Sequence, residues 1–302
     1  MNPGASGDPI PEAWRSFPEV IPPFSSGIFE ERAGRFEALA RESSLSGWLT
    51  FLGRITLSQH RLLQDYPALP LNPDRTRRQD NQAAPFSAAA LPRDPVWRQA
   101  LASLIGDILP HAPAPAKDAL AFLRAQNGAF LEELADQILR MEFSRRQVHL
   151  LPYISAALQV HFTALAAAAG KADILRPDAP GVCPCCGFLP VGSVLRTDGD
   201  VPRLRYLHCG LCNTQWHLVR VTCAACGENG HGISYRYIEG TDGAVRAEAC
   251  AVCKSYLKII YPQASPTADP VADDLATLPL DLLLEEAGYN RMSPNLLFAH
   301  AS

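Results

Sequence analysis

The first half of the chain has the hydrophobic pattern of amphipathic helices. Over residues 27–66, apolar side chains recur at spacings of three and four, which places them on one face of a helix. The same spacing predicts further helices over 95–109, 115–126, 127–143 and 145–169. Residues 67–95 are rich in Pro, Asn, Asp, Arg and Gln and are expected to form a long loop. The sequence therefore predicts an all-helical domain over residues 27–172.

The pattern changes at about residue 175, where short runs of β-branched and aromatic residues alternate with cysteines. Such runs favour short strands. The predicted strands cover 204–208, 215–222, 233–238, 245–249 and 256–261. Residues 262–302 are predicted to form a linker rich in Pro and Asp and a last helix at about 278–288. That helix is expected to pack back on the rest of the protein.

The overall composition, 47% hydrophobic and 19% charged over 302 residues, is that of a globular protein. Six prolines among the first 24 residues predict an extended arm over 1–26. The formal net charge of −4 gives no general electrostatic reason to expect nucleic acid or an anionic membrane as a partner.

No apolar run reaches the roughly 18–20 residues that a membrane-spanning helix needs. The most apolar stretch, 150–169, is interrupted by Pro152, Gln159 and His161 and is expected to be a buried helix. The N-terminal residues show neither the basic region nor the apolar region of a secretory signal. We therefore expect a cytoplasmic protein without a membrane span.

All nine cysteines lie between Cys183 and Cys253, and eight of them form four Cys-x-x-Cys knuckles. In a chain expected in the cytoplasm, clustered pairs of this kind indicate metal ligands rather than disulfides. The first knuckle recurs 40 residues later and the second recurs 41 residues later. This duplication predicts two copies of one small module, over 181–221 and 222–261.

Each module is expected to bind one ion through four cysteines. The first site is assigned to Cys183, Cys186, Cys209 and Cys212, and the second to Cys223, Cys226, Cys250 and Cys253. A crossed pairing, first knuckle with third and second with fourth, remains the alternative. Gly187 and Gly227 follow the second cysteine of a knuckle, where they permit the positive φ that such turns often require.

A tetrahedral shell of four sulfurs suits zinc or a single iron ion. The shell leaves no open position, so hydrolytic zinc chemistry is not expected. Zinc in these sites would be structural, whereas iron could carry one electron. Because a small ribbon lacks a core of its own, metal binding would also supply much of its folding free energy.

Four residues near the ligands have open roles. Cys185, inside the first knuckle, is interpreted as a spare small residue, and the alternative is a reactive thiol whose pKa the nearby ion lowers. His208, beside Cys209, could donate a hydrogen bond to a ligand sulfur. Arg203 and Arg205 form a small basic strand, which we interpret as a solvated face rather than a nucleic-acid surface.

The segment from Arg205 to Trp216, RYLHCGLCNTQW, resembles the formate dehydrogenase accessory protein family, FdhE. It is preceded by the knuckle CPCCG at 183–187 and followed by the knuckle CAACG at 223–227, which also resemble that family. The C-terminal segment DDLATLPLDLL at 273–283 is similar to the family's ending. The family's first knuckle reads Cys-Pro-x-Cys-Gly, so Cys185 occupies its variable position.

The resemblance implies a cytoplasmic accessory factor that binds the catalytic subunit of respiratory formate dehydrogenase and is needed for assembly of the active enzyme. It implies rubredoxin-like sites associated with iron, on the eight cysteines named above, and no enzymatic activity. The alternatives are a rubredoxin-like electron carrier and a zinc-ribbon nucleic-acid-binding protein. The sequence leaves the oligomeric state open.

The expected fold class is accordingly α+β and multidomain. An all-α N-terminal helical domain is followed by two tandem rubredoxin-like or zinc-ribbon-like β modules and a C-terminal helix. Neither a Ser-His-Asp order nor a phosphate-binding glycine loop is apparent in the sequence.

Overall fold

The structure is a computed structural model. It describes residues 17–24, 26–69, 84–90, 92–142, 144–169, 174, 179–197, 203–239, 241 and 243–298. Residues 1–16 of the expected extended arm and residues 70–83 of the expected loop lie outside the described residues.

Within the described residues, the N-terminal half contains six α-helices where the hydrophobic pattern predicts them. They are α1 (Ile28–Ala40), α2 (Ser46–Gln64), α3 (Val96–Ile108), α4 (Ala114–Arg124), α5 (Gly128–Arg140) and α6 (Leu151–Ala168). Asn127 accepts a hydrogen bond from the amide of Phe130 at the start of α5, which caps that helix. The fold class predicted from the sequence, helical domain first and β modules after it, is confirmed.

Helix α6 lies at the centre of the helical domain. Most of its residues are buried, including the polar side chains of Gln159 and His161. The Gln159 amide oxygen accepts a hydrogen bond from the side chain of Gln59 on α2 at 2.9 Å. Of the described residues, Val148–Ala168 alone is long and apolar enough to cross a membrane, and 78% of its apolar window is buried inside the protein.

The cysteine modules form one continuous sheet. The described strands are β1 (Val20–Ile21), β2 (Pro190–Arg196), β3 (Leu204–Cys209), β4 (Gln215–His217), β5 (Ile233–Arg236), β6 (Val245–Cys250), β7 (Ser255–Ile260) and β8 (Asn290–Arg291). Their order is β1-β4-β3-β2-β7-β6-β5, with β8 paired to β7.

The duplication predicted from the knuckles is visible in this order. Antiparallel pairing joins β2 to β3 and β3 to β4 in the first module, and β5 to β6 and β6 to β7 in the second. The modules meet where β2 and β7 run parallel, with Ser193 opposite Ile259 and Val194 opposite Ile260. They are therefore halves of one sheet rather than two separate ribbons, while the domain boundaries remain a prediction.

Three details differ from the sequence expectation. Strand β2 was not predicted, because Pro190 and Gly192 are poor strand formers, but pairing on both sides holds it extended. Strand β4 ends at His217 rather than at residue 222, and Val221 turns with a φ of 62° into the next knuckle. A short helix, α7 (Ala272–Ala276), lies where the linker was expected, directly before the predicted last helix, α8 (Leu278–Glu286), whose first turn contains a proline that favours a new start.

The C-terminal segment packs back on the helical domain, as expected. Arg32 of α1 is fully buried, and its Nε lies 2.9 Å from a carboxylate oxygen of Asp269. One turn later, Arg35 Nε donates to Asp273 at 2.9 Å. In the second module, Lys258 of β7 lies 2.7 Å from Asp281 of α8. Buried charges are thus paired where the C-terminal helices meet the rest of the protein.

Candidate metal centre

The first knuckle of each module turns in the same way. The amides of Gly187 and Gly227 donate to the carbonyls of Cys183 and Cys223, each at 2.9 Å. Both glycines have positive φ, 75° and 77°, which confirms the conformation expected for them. Glycine at this position lets the chain reverse closely enough for both cysteines of a knuckle to face one point.

The second knuckles use other residues for the same turn. Asn213 and Lys254, each directly after the last cysteine of its module, have φ values of 60° and 59°. The amide of Lys254 donates to the carbonyl of Cys250 at 3.0 Å. Sequence reasoning missed both residues, although asparagine tolerates the left-handed region better than most side chains and the equivalent glycines mark the position.

The eight predicted ligands come together in two groups of four. They are Cys183, Cys186, Cys209 and Cys212 in one group and Cys223, Cys226, Cys250 and Cys253 in the other. Within each group the sulfurs all lie within 4.8 Å of one another. The fold therefore pairs first knuckle with second and third with fourth, and does not bring the crossed pairing together.

The sulfur spacing fits a metal rather than disulfides. Two sulfur–sulfur distances are 3.5 Å in the first group, and two are 3.7 and 3.8 Å in the second. Four sulfurs placed tetrahedrally about 2.3 Å from one ion lie about 3.8 Å apart. A disulfide requires about 2.05 Å, and all nine cysteines are free. Both groups can thus hold one tetrahedral ion each.

The chemistry of the first group also favours a cation. Burial raises the pKa of the Cys183 and Cys186 thiols well above the usual range, because a buried thiolate loses its hydration. A bound divalent ion offsets this cost through direct bonds to sulfur and keeps the thiols deprotonated. Held in this way, the ion supplies a crosslink between strands, and an ion such as iron also supplies a one-electron redox couple.

Hydrogen bonds surround the sulfurs of the first group. The backbone amides of Leu211 and Cys212 each donate to the sulfur of Cys209 at 3.4 Å. The hydroxyl oxygen of Thr214 lies 3.2 Å from the sulfur of Cys212. Hydrogen bonds of this kind stabilise thiolate charge and orient the ligands. Thr214 was not identified from the sequence, since a threonine two residues after a cysteine has no distinctive pattern.

His208 is surrounded by polar side chains next to the first site. Its side chain is buried, and Nε2 lies 3.1 Å from the side-chain oxygen of Asn213 and 3.4 Å from Arg32. Its Nδ1 lies 3.4 Å from the side chain of Gln215. Burial, together with the Arg32 charge, lowers the pKa of His208 to about 4. In these contacts His208 orients the residues behind the site, and a hydrogen bond to sulfur stays a prediction.

A buried polar network connects the first site to the helical domain. Asn213, directly after Cys212, accepts a hydrogen bond from Arg32 at 2.9 Å and donates to the hydroxyl of Thr163 on α6 at 2.9 Å. The side chain of Gln159 donates to the carbonyl of Gly210 at 2.8 Å. Helices α1 and α6 therefore fix the second knuckle from behind.

Cys185, inside the first knuckle, is fully buried against the helical domain. The amide of Phe86 donates to its carbonyl at 3.0 Å. The sulfur of Cys212 and burial both raise the pKa of the Cys185 thiol well above the usual range. This environment favours the interpretation as a packed small residue, because a reactive thiol requires solvent access and a lowered pKa.

One expectation about the basic strand was wrong. Arg205 is 1% exposed and does not belong to a solvated face. Its guanidinium lies 2.9 Å from Glu248 in the second module, and it donates to the carbonyl of Thr222 at 2.8 Å. Burial in a strand of a mixed sheet was not predictable from the local sequence, because the partner lies 43 residues away.

The second site lies nearer the surface than the first. Cys226 is exposed and Cys253 is partly exposed, whereas all four cysteines of the first site are buried. Behind Cys223 and Cys250 lies a small cavity that also borders Glu248 and Met292. Burial alone would raise the pKa of Cys253, but hydrogen bonds from the hydroxyl and amide of Ser255, together with those from Cys226 and Cys223, lower it to about 7.

The fold and the two four-cysteine groups define a class of protein in which a helical domain carries paired, zinc-ribbon-like metal-binding modules. Comparisons with known proteins narrow this class. Three family models match consecutive parts of the chain: FdhE, N-terminal, over residues 17–176; FdhE, central domain, over 182–220; and FdhE, C-terminal domain, over 221–298.

Whole proteins match over nearly the same length. The Protein FdhE homolog of Proteus mirabilis is 36% identical over 293 residues, 96% of this chain and 95% of the relative. Protein FdhE of Salmonella paratyphi B is 36% identical over 283 residues, 92% of this chain and 90% of the relative. The crystal structure of the FdhE protein from Pseudomonas aeruginosa superposes with a TM-score of 0.81 at 32% identity, covering 94% of this chain and 100% of that one. The chain belongs to the FdhE family.

Proposed function

We propose that this protein is a cytoplasmic accessory factor for respiratory formate dehydrogenase. In this proposal it binds the catalytic subunit of that enzyme and is needed for its assembly into an active form. The observation that carries the proposal is the family match over residues 17–298, which includes both cysteine modules as well as the helical domain. Membership of the FdhE family supports an accessory role. The identities of the client and of the metal are proposed in addition.

The proposed role is not catalytic. Each four-cysteine group fills a tetrahedral shell, so neither site offers a coordination position for a substrate. Each metal would fasten the two knuckles of its own module together, and the helical domain would provide most of the surface available to a client. Iron is the favoured metal and zinc the alternative, since four sulfurs accommodate both.

A rubredoxin-like electron carrier is the second candidate. The exposed position of Cys226 favours it, because electron transfer to a partner requires a metal site close to the surface. It requires iron in the second site and reduction by a partner protein at a useful rate. The accessory role requires neither.

The test combines a genetic and a biochemical measurement. A strain lacking this protein should make the formate dehydrogenase polypeptide but show little respiratory formate oxidation, and the full-length gene should restore it. The tagged catalytic subunit should also retain this protein on purification, together with its metal. As a control, a gene carrying Cys185→Ala should restore formate oxidation to the deletion strain, because Cys185 is outside the two ligand groups.

Normal formate oxidation in the deletion strain would contradict the accessory role. Restored activity without retention of the protein by the catalytic subunit would contradict the proposed partner alone. Metal analysis of the same purified sample distinguishes iron from zinc. An electron carrier would instead be indicated if reduction of the bound metal by a partner proceeds as fast as turnover of the pathway that it serves.

A further inference from the structure

The two metal sites have the same ligands but different surroundings. In the first site the four cysteines are at most 1% exposed and belong to the main hydrophobic core, together with residues of the helical domain. In the second site Cys226 is exposed and Cys253 partly exposed. The difference lies in what packs against the knuckles, since the main core includes Leu211 of the first module but not the corresponding Val252 of the second.

Both knuckles of the first site are held by the helical domain. The amides of Phe86 and Ala88 donate to the carbonyls of Cys185 and Cys186 at 3.0 and 2.8 Å. On the other side, Gln159 of α6 donates to the carbonyl of Gly210 at 2.8 Å. An incoming ligand can reach this ion only if the module separates from the helices.

The corresponding knuckle positions of the second site face solvent. Val252, which corresponds to Leu211 in the first module, is 63% exposed, whereas Leu211 is 0% exposed. Ala225, which corresponds to Cys185, is exposed, whereas Cys185 is buried. An incoming ligand can therefore approach the second ion along the Cys226 side without unfolding of any element.

We propose that the second site exchanges its metal with small thiolates in solution through the exposed Cys226 edge, while the first site retains its metal. In the exchange, a sulfur–metal bond to the incoming thiolate forms as the bond from Cys226 breaks. The reaction is a ligand substitution that transfers no electrons, and the freed Cys226 sulfur takes up a proton from water. Repetition at the remaining cysteines releases the ion.

This inference rests on the metal binding contained in the proposed function, but not on the proposed client. The consequence is that the two metal sites of the sheet differ in how readily they release their ions. The first ion is a permanent part of the fold, and the second is available for loading, removal or replacement in the folded protein.

The experiment uses the full chain loaded with zinc under anaerobic conditions. A chromogenic chelator, 4-(2-pyridylazo)resorcinol, records zinc release with and without added glutathione. We expect two zinc ions per chain at the start. One ion should be released rapidly, and glutathione should accelerate its release. The other should be released at least about tenfold more slowly, which corresponds to about 1.4 kcal/mol for local opening of the first site.

Variants assign the fast phase. The double variant Cys226→Ala and Cys253→Ala should begin with one zinc ion and lack the fast phase, while Cys185→Ala should retain both phases. Cadmium-113 NMR of the unsubstituted chain gives an assignment that needs no variant. Of two expected resonances, the one coupled to the β-protons of Cys226 and Cys253 should disappear first when glutathione and chelator are added.

Two ions released at one rate, or earlier loss of the resonance coupled to the first-site cysteines, would overturn the inference and leave the proposed function intact. Fewer than two ions at the start would overturn the inference and the two-ion part of the proposed function, but not the accessory role, which rests on the family match. A fast phase that persists in the double variant would also overturn the inference.

Discussion

The Arg205 guanidinium of the first cysteine module lies 2.9 Å from the Glu248 carboxylate of the second, and both side chains are almost fully buried. Arg205 also donates to the carbonyl of Thr222, at the start of the second module. A buried charge is costly unless it is paired, so this ion pair fixes how the two halves of the sheet join.

Glu248→Gln should destabilise the folded protein by roughly 3–5 kcal/mol, because it leaves the Arg205 charge buried without its partner. Urea denaturation measures the free energy of unfolding. The matched control is Glu37→Gln, which removes an exposed pair with Arg41 and should cost less than about 1 kcal/mol. Equal effects of the two substitutions would show that the buried pair does not stabilise the junction.

Gly181→Ala should also destabilise the protein. A methyl group at Gly181 would overlap the carbonyl oxygen of Ala224 in the third knuckle and approach Met292 to 2.8 Å. Since backbone cannot move aside cheaply, we expect a cost of about 1–3 kcal/mol in thermal or urea unfolding.

The control for this substitution is Gly106→Ala. A methyl group at Gly106, within α3, would meet no atom within 4 Å apart from its two neighbours and the backbone of its own helix, and alanine should stabilise a helix by about 1 kcal/mol relative to glycine. If Gly181→Ala were as well tolerated as Gly106→Ala, the close approach of the two cysteine modules at Ala224 would be incorrect.

Stability should fall between neutral and mildly acidic pH because of His161. Burial in the helical domain lowers the pKa of His161 from 6.5 to about 4, and its Nδ1 lies 3.0 Å from the hydroxyl of Tyr66. As the pH falls below 6.5, the unfolded chain takes up a proton here and the folded chain does not. The stability present above pH 6.5 is therefore lost progressively towards pH 4.

Between pH 7.5 and pH 5 this group should remove about 2 kcal/mol of unfolding free energy. His161→Gln should reduce the pH dependence by that amount in urea denaturation at the two pH values. His111→Gln, at an exposed position of the same domain, is the control for the loss of a histidine as such. A His161→Gln curve parallel to the unsubstituted one would contradict the buried neutral ring.

Cys185 should be unreactive in the folded protein. It is fully buried, so iodoacetamide should not modify it while the chain is folded and metal-loaded. In guanidinium with a chelator, all nine cysteines should react. Peptide mass spectrometry locates the label, and rapid labelling of Cys185 in the folded protein would favour the alternative of a reactive thiol.

The parts of the site that depend on local spacing were predictable from the sequence. Two cysteines three positions apart can face one ion whatever surrounds them, and the repeat of knuckles indicated which pairs belong together. Gly187 and Gly227 were predictable for the same reason, because the turn alone requires their backbone conformation.

The parts that depend on distant contacts were not predictable. Strand β2 has weak strand propensity and is held by β3 and β7, which lie on either side of it. Arg32 has the polarity of a surface residue in α1, and its partners Asn213 and Asp269 lie 181 and 237 residues away. The unequal burial of the two sites likewise follows from how the helical domain packs, which the duplicated knuckles do not record.

Eight thiolates binding two separate ions are the central claim, and X-ray absorption at the metal edge of the purified, metal-quantified protein tests this most directly. We predict two metal ions per chain and a shell of about four sulfurs at roughly 2.3 Å for zinc, without nitrogen or oxygen ligands. A mixed shell containing nitrogen or oxygen, or a protein without bound metal whose cysteines form disulfides, would contradict the account.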